Sequence, residues 1–292
     1  MIEYLQFVLG PQVINGLTIG VAIILVSLGL SIIFGLLDVV NMAHGEFYAM
    51  GAFVSMTLYA LGLGFWAALI ITPLLVMPIG ALVERGLIRF VYHSPDRHTL
   101  TLLLTIGLSI ILKDLYDVLY GPNTMKPDNP ISGVTEIAGI IIPNYRLFLL
   151  VFGTVIITLT WFVLFRTRLG AVIRAAAHDK DMTASLGVPV RLIYSGAFAF
   201  GISLAALAGV LLAPIYSVFP TMGHDFILLA FTVVIVGGIG SFWGTVVAGL
   251  LLTQIESIAS LYIAPNWGEP LIFSIMIVVL IVRPQGLFNW SR

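Results

Sequence analysis

The stretch Gln12-Val13-Ile14-Asn15-Gly16-Leu17-Thr18-Ile19-Gly20-Val21-Ala22-Ile23-Ile24-Leu25-Val26-Ser27-Leu28-Gly29-Leu30-Ser31-Ile32-Ile33-Phe34 decides the fold class. It carries no charged side chain and exceeds the roughly 20 apolar residues that a helix needs to cross a bilayer. It is too long for the apolar region of a secretory leader, and Met1 to Gln12 contain no Lys or Arg for the cationic region that such a leader requires. The stretch therefore reads as a permanent span.

Outward from it, further candidate spans fall at 43–62, 65–84, 99–120, 147–165, 192–213, 226–240, 243–262 and 267–283. Two are ambiguous. Segment 226–240 is short and ends in Gly237-Gly238-Ile239-Gly240-Ser241, and segment 43–62 opens within the polar run Asp38-Val39-Val40-Asn41-Met42-Ala43-His44-Gly45-Glu46. Either fits a broken or re-entrant helix. The expectation is an all-α polytopic transmembrane bundle of about eight or nine segments, forming one unit over 1–292.

Composition points the same way. The 292 residues are 60% hydrophobic and 9% charged, whereas a soluble domain carries about 25% charged residues. With so little charge to solvate a surface, a lipid bilayer must be the solvent. The net charge of −1 gives no basic footprint for nucleic acid. Absent cysteine removes disulfides, thiolate metal sites and thiol nucleophiles.

The cations set an expected orientation. Arg85, Arg89 and Arg97 share one loop; Arg166, Arg168, Arg174, Lys180 and Arg191 share another; Arg283 and Arg292 close the chain. The positive-inside rule puts all three regions in the cytoplasm. The Pro-, Asn- and Gly-rich 121–146 loop, the 214–225 loop and the amino terminus then lie outside, and the carboxyl terminus inside. A weak internal echo pairs the polar or Gly-rich break near 38–55 with that near 237–255, an arrangement that in transporters marks the binding site.

The segment 167–191 is predicted to hold a short helix over 171–186. Ala171, Ala175, Ala176, Ala177 and Ala184 favour it, Gly187 suits a left-handed C-terminal cap, and Pro189 bars continuation. Its small residues let another surface approach closely, the shape of a docking element. The bland alternative is an amphipathic connector lying at the headgroups.

At these residues the chain resembles a known family. Arg174-Ala175-Ala176-Ala177-His178-Asp179 through Leu186-Gly187 looks like the coupling-helix region of bacterial ATP-driven importer permeases. Val40-Asn41-Met42-Ala43-His44-Gly45-Glu46-Phe47, Leu207-Ala208-Gly209-Val210-Leu211-Leu212-Ala213-Pro214, Val236-Gly237-Gly238-Ile239-Gly240-Ser241 and Arg283-Pro284-Gln285-Gly286-Leu287-Phe288 resemble the branched-chain amino acid permease family.

That resemblance implies a non-enzymatic permease subunit in a bacterial cytoplasmic membrane. It would pair with a second homologous subunit or with itself, be driven by two cytoplasmic ATPases, and receive substrate from an extracytoplasmic binding protein. Arg174, Ala175, Ala176, Ala177, Asp179 and Gly187 would couple it to the ATPases. Branched-chain or other hydrophobic amino acids are the implied substrates, with urea, short amides and small aromatic acids as alternatives. The chain has no phosphate-cradling Gly-x-x-x-x-Gly-Lys-Ser/Thr motif, so ATP is expected on partner subunits and no cofactor on this chain.

Ionisable groups inside a membrane are costly and usually face the bundle interior or water. Asn41, His44 and Glu46, with Gly237, Gly238 and Glu256, are the candidate path or gate residues, Asn41 as a possible helix cap. They equally suit hydrogen bonding to freed backbone at a break. His44 and Glu46 are two apart, share no helix face and have no third ligand nearby, so metal binding is not expected. Lys113, Asp114 and Asp117 read as an anchor cluster near the outer end of their helix. The competing class is an ion-coupled secondary transporter, for which Glu46 or Glu256 would carry the ion.

Overall fold

The computed structural model describes residues 5–92, 94–137, 139–263 and 267–288. The reading of Met1 to Gln12 falls partly outside these residues, and Arg292 wholly outside.

Eleven α-helices make up the described fold. Helix α1 (Gly10–Leu37) follows a π-helical turn and has Pro11 in its first turn, where a missing N–H costs nothing. It is followed by α2 (His44–Ala60), α3 (Phe65–Gly86), α4 (Arg97–Tyr120) and α5 (Asn144–Arg166). Two short helices, α6 (Arg168–His178) and α7 (Lys180–Ser185), lead to α8 (Val190–Tyr216). Then come α9 (Met222–Gly237), α10 (Phe242–Ala259) and α11 (Gly268–Val282). Every span expected from the sequence coincides with a helix to within a few residues. Five are long and apolar enough to cross a membrane by length and composition: α1, α3, α5, α8 and α10; α9 and α11 are apolar but shorter.

Between α4 and α5 the chain forms an unexpected antiparallel hairpin. Its strands β1 (Val134–Ile137) and β2 (Ile140–Pro143) pair Val134 with Pro143 and Ile137 with Ile140. The β-branched run Ile140-Ile141-Ile142 suits a strand.

Helices α1 and α8 are the most buried spans and cross at the centre. They approach through glycines: a Cβ on Gly29 would strike the Gly201 carbonyl, and one on Gly201 the Gly29 carbonyl. With lipid as apolar as leucine, close backbone packing of this kind holds helices together. Around the pair, α10 packs along α1 while α3 packs along α8. Gln254 donates from Nε2 to the Val13 carbonyl at 2.8 Å, Ser257 Oγ donates to the Gln12 carbonyl at 2.7 Å, and Gly35 meets Gly240, so α1 and α10 run antiparallel. At the other partnership Glu84 meets Ser195 and Gly80 meets Ile202, so α3 and α8 are antiparallel too.

This correspondence is an inverted repeat, with α1–α4 matched by α8–α11 running the opposite way. Its clearest mark lies at the two breaks. Helix α1 ends on Asp38 at φ 54° and α8 ends on Ser217 at φ 68°, the two non-glycine residues with positive φ among those described, at ψ 45° and 171° respectively. After each, the chain turns back and starts a shorter helix. One constant sequence offset pairs Asp38 with Ser217, Val39 with Val218, Glu46 with Asp225 and Phe47 with Phe226. The echo expected between 38–55 and 237–255 is therefore displaced. The Gly237–Ser241 turn is a tight connection between α9 and α10, and the true counterpart of the first break is 217–221. Further on, Phe65-Trp66 opens α3 and Phe242-Trp243 opens α10, each pair edge-to-face at 5.3 and 5.5 Å. The first pair meets Phe148 at one end of α5, the second Phe165 and Trp161 at the other.

Candidate functional site: two half-helices and a docking arm

After Asp38 the chain runs back along α4. Asp38 is ion-paired to Arg97 at the start of α4, and the Met42 N–H donates to Thr105 Oγ at 3.1 Å. Helix α2 then begins deep in the bundle. His44 Nε2 lies 3.0 Å from the Val26 carbonyl, so it carries the proton and donates; Val26 is about 24 Å along a helix of about 42 Å. Glu46 Oε1 accepts from Ser109 Oγ at 3.0 Å, and the Glu46 carbonyl accepts from the Tyr116 hydroxyl at 2.9 Å. Asn41, His44 and Glu46 are all buried. Their remaining polar atoms, both on the Asn41 amide, His44 Nδ1 and Glu46 Oε2, make no hydrogen bond among the described residues.

The first turn of α9 closes on this point. A Cβ on Gly45 would strike the Gly223 carbonyl, and one on Gly223 would come within 2.7 Å of Glu46 Oε2. Only glycine on both sides lets the two helix starts meet. Tyr48 and Phe226 stack at 4.2 Å just beyond. Two half-helices thus begin near mid-depth and run apart, each with a carboxylate in its first turn, Glu46 in α2 and Asp225 in α9. A helix amino end carries partial positive charge, which favours an acidic group there.

Three expectations change. The Asn41 side chain does not cap α2; its backbone carbonyl accepts the His44 N–H at 3.2 Å while Ala43 holds the cap position. Gly237 and Gly238 lie at the far end of α9, about 21 Å from Gly223. They let the tail close in, with Leu287 and Phe288 N–H donating to the Val236 and Gly237 carbonyls at 2.8 and 3.1 Å. Glu256 sits beside Gly268 at the start of α11, apart from the Asn41–Glu46 group. Asp225, which the sequence reading passed over, lies in the first turn of α9 two residues beyond Gly223 and is exposed.

The second candidate element is the arm between α5 and α8. It is two helices, not the single one expected over 171–186. Asp179 adopts extended backbone and caps α7, accepting from the Asp181 and Met182 N–H groups at 3.0 and 2.9 Å. An Asp that can serve as a cap competes with helix continuation. Gly187 takes the left-handed conformation at φ 81°, as its place after the helix demands. Arg174 donates to the Leu164 carbonyl and lies 5.3 Å over the Phe165 ring, and Ala176 is buried, so both tie the arm to the bundle. Ala175, Ala177, Asp179 and Gly187 are exposed. So are three large apolar residues absent from the expected set: Leu169 at 65%, Met182 at 61% and Leu186 at 77%. A cavity of about 310 Å³ is lined by Arg174 and His178 of the arm together with Leu28 and Phe242 of the bundle.

A bundle of apolar helices around broken, mid-depth helix starts defines a multi-pass membrane permease. The family model for the branched-chain amino acid transport system / permease component matches residues 12–280, and the chain belongs to that family. It is 32% identical to the high-affinity branched-chain amino acid transport system permease protein BraD of Pseudomonas aeruginosa, over 98% of this chain and 96% of that one. It is 29% identical to the permease protein LivH of Salmonella typhimurium, over 98% and 97% of the two chains. It is also 26% identical to the permease protein LivM of Escherichia coli, covering 98% of this chain and 72% of LivM. No solved structure matches the chain.

Proposed function

We propose that this chain is a permease subunit of an ATP-driven importer that carries branched-chain or other hydrophobic amino acids across the cytoplasmic membrane by alternating access. The observation that carries this reading is the α6–α7 arm, which presents exposed Leu169, Met182 and Leu186 at the edge of a bundle whose family is a transport permease. Apolar side chains exposed on a capped, short-helix arm suit docking on another protein. That partner is a pair of cytoplasmic ATPases, which bind and hydrolyse the ATP. A second permease subunit, either like LivM or a further copy of this chain, completes the path, and an extracytoplasmic binding protein delivers the substrate. In this arrangement the amino terminus is outside and the carboxyl terminus cytoplasmic.

Movement of the ATPases pushes α6–α7, and the ties of Arg174 and Ala176 pass that push to α5 and α1. The inverted repeat gives the bundle two halves that rock about the crossing of α1 and α8, with the Gly45–Gly223 contact at the pivot. Copurification from native membranes in mild detergent tests the docking. The wild-type chain is expected to retain two ATPases, and Leu186→Asp or Ala175→Arg to release them while the second permease subunit stays. An ATPase complement unchanged by both substitutions contradicts the docking assignment.

A further inference from the structure

The cavity of about 310 Å³ between the arm and the bundle has no part in the docking or rocking described above. It is lined by Leu28 and Ile32 of α1, Phe165 at the end of α5, Arg174 and His178 of α6, and Phe242 at the start of α10. Apolar walls with a few polar groups on one side, at this volume, suit a small amphiphilic ligand. Two observations say which kind.

The first is charge. An arginine side chain has five N–H donors in a planar fork. Among the described residues, Arg174 donates to the Leu164 carbonyl and rests over the Phe165 ring, which leaves further donors for a ligand. Neither Arg174 nor His178 is ion-paired among the described residues. The cavity thus offers a guanidinium and an imidazole with no protein carboxylate to meet them. A phosphate matches the guanidinium fork in shape and charge.

The second is position in the membrane. Trp161 stacks on Phe165, Trp243 packs edge-to-face on Phe242, and the two tryptophans lie 6.5 Å apart. Arg166 sits 5.6 Å over the Trp161 ring. Tryptophan with arginine gathered at helix ends marks the boundary between hydrocarbon and headgroups. The helices that contribute the two phenylalanines have lipid-facing surfaces. Between Arg146 and Arg166, α5 carries no charged residue and exposes Val151, Val155, Leu159 and Phe162; the exposed residues of α10 are Trp243, Leu251 and Ile255.

We propose that this cavity binds an anionic phospholipid from the leaflet on the arm's side. Arg174 and His178 hold the phosphate, and the acyl chains leave along Leu28, Ile32 and Phe242. Basic pockets between membrane helices take anionic headgroups in this way. A lipid seated there ties α6 to α1 and α10, so the arm's attachment to the bundle depends on the charge of the leaflet. The proposal needs only that the chain lies in a membrane, and stands apart from what the permease carries.

The test is native mass spectrometry of the full chain, purified in a neutral detergent and titrated with dioleoyl phosphatidylglycerol or dioleoyl phosphatidylcholine. The wild-type chain is expected to hold one phosphatidylglycerol at least about fivefold more tightly than phosphatidylcholine. Arg174→Gln is expected to abolish that preference and Arg174→Lys, which keeps the charge, to retain most of it. Ala177→Phe keeps the Arg174 tie and fills space in the cavity, and is expected to weaken phosphatidylglycerol binding to a similar extent. Equal affinity of the wild-type chain for the two lipids overturns the proposal. So does phosphatidylglycerol binding that Arg174→Gln or Ala177→Phe leaves unchanged. Displacement of the lipid by millimolar glycerol 3-phosphate also overturns it, because the occupant is then a free phosphate compound. Should Arg174→Gln fail to purify as a monodisperse chain, Ala177→Phe and the wild-type comparison of the two lipids decide the matter alone.

Discussion

Glu84 shows how much a single buried charge can organise. It is fully buried near the end of α3, where Arg89 Nη2 donates to Oε2 at 3.1 Å, the Tyr92 hydroxyl donates to Oε1 at 3.1 Å, and Ser195 of α8 donates to Oε2. Burial and the Glu84 charge push the Tyr92 phenol up, so it stays a neutral donor. Removing one member of a buried ion pair strands the other, and Glu84→Gln is expected to cost about 3 kcal/mol. Thermal unfolding in detergent should show this as a marked fall in midpoint, whereas Asp38→Asn, in a half-exposed pair with Arg97, should cost less than about 1 kcal/mol. Glycines give a second contrast. A Cβ on Gly209 would strike the Tyr48 carbonyl, but one on Gly64 meets nothing within 4 Å. Gly209→Val is thus expected to lose about 1–3 kcal/mol or more through overpacking, and Gly64→Ala to express and unfold like wild type, as size-exclusion profiles would report. Little of this residue-scale detail was legible in the sequence. Arg85, Arg89 and Arg97 read as a cationic loop, and nothing local revealed that Glu84 pairs with Arg89 or that Ser195, far along the chain, completes the site.

At the scale of elements, hydropathy located every apolar helix of the bundle, five of them long enough to cross a membrane, because lipid leaves exposed backbone no partner outside a helix. The exceptions are informative. The alanine-rich 171–186 segment favoured one helix, but the Asp179 carboxylate bonds two amides ahead of it and starts a new one. Asp179→Ala is expected to cost α7 about 1 kcal/mol, speeding amide exchange at Asp181 and Met182 roughly fivefold, with α6 unchanged. The broken α2 was legible as a polar interruption, since Asn41, His44 and Glu46 cannot all be buried in an uninterrupted lipid-facing helix. The depth of its start was not legible, because it depends on where the return segment meets Thr105 and Ser109 of α4.

The whole molecule is two inverted halves joined by α5 and the α6–α7 arm. That symmetry was nearly invisible in the sequence. The halves match at few side chains, and a Gly-rich turn at 237–241 imitated the break that lies at 217–221. The antiparallel packing of α1 on α10 and of α3 on α8, with a positive-φ residue ending both α1 and α8, brought the match out. An inverted repeat has two equivalent ways to lean, which suits the alternating access we propose, and on that proposal the α6–α7 arm is where ATPases would push. The most direct test of this account is leucine uptake into liposomes containing the full complex, measured with ATP present and with ion gradients collapsed by ionophores. The account predicts uptake that requires ATP hydrolysis and survives the ionophores. Uptake that persists without ATP and vanishes when the gradients collapse would contradict it, and would favour an ion-driven transporter with Glu46 or Glu256 as the candidate carriers.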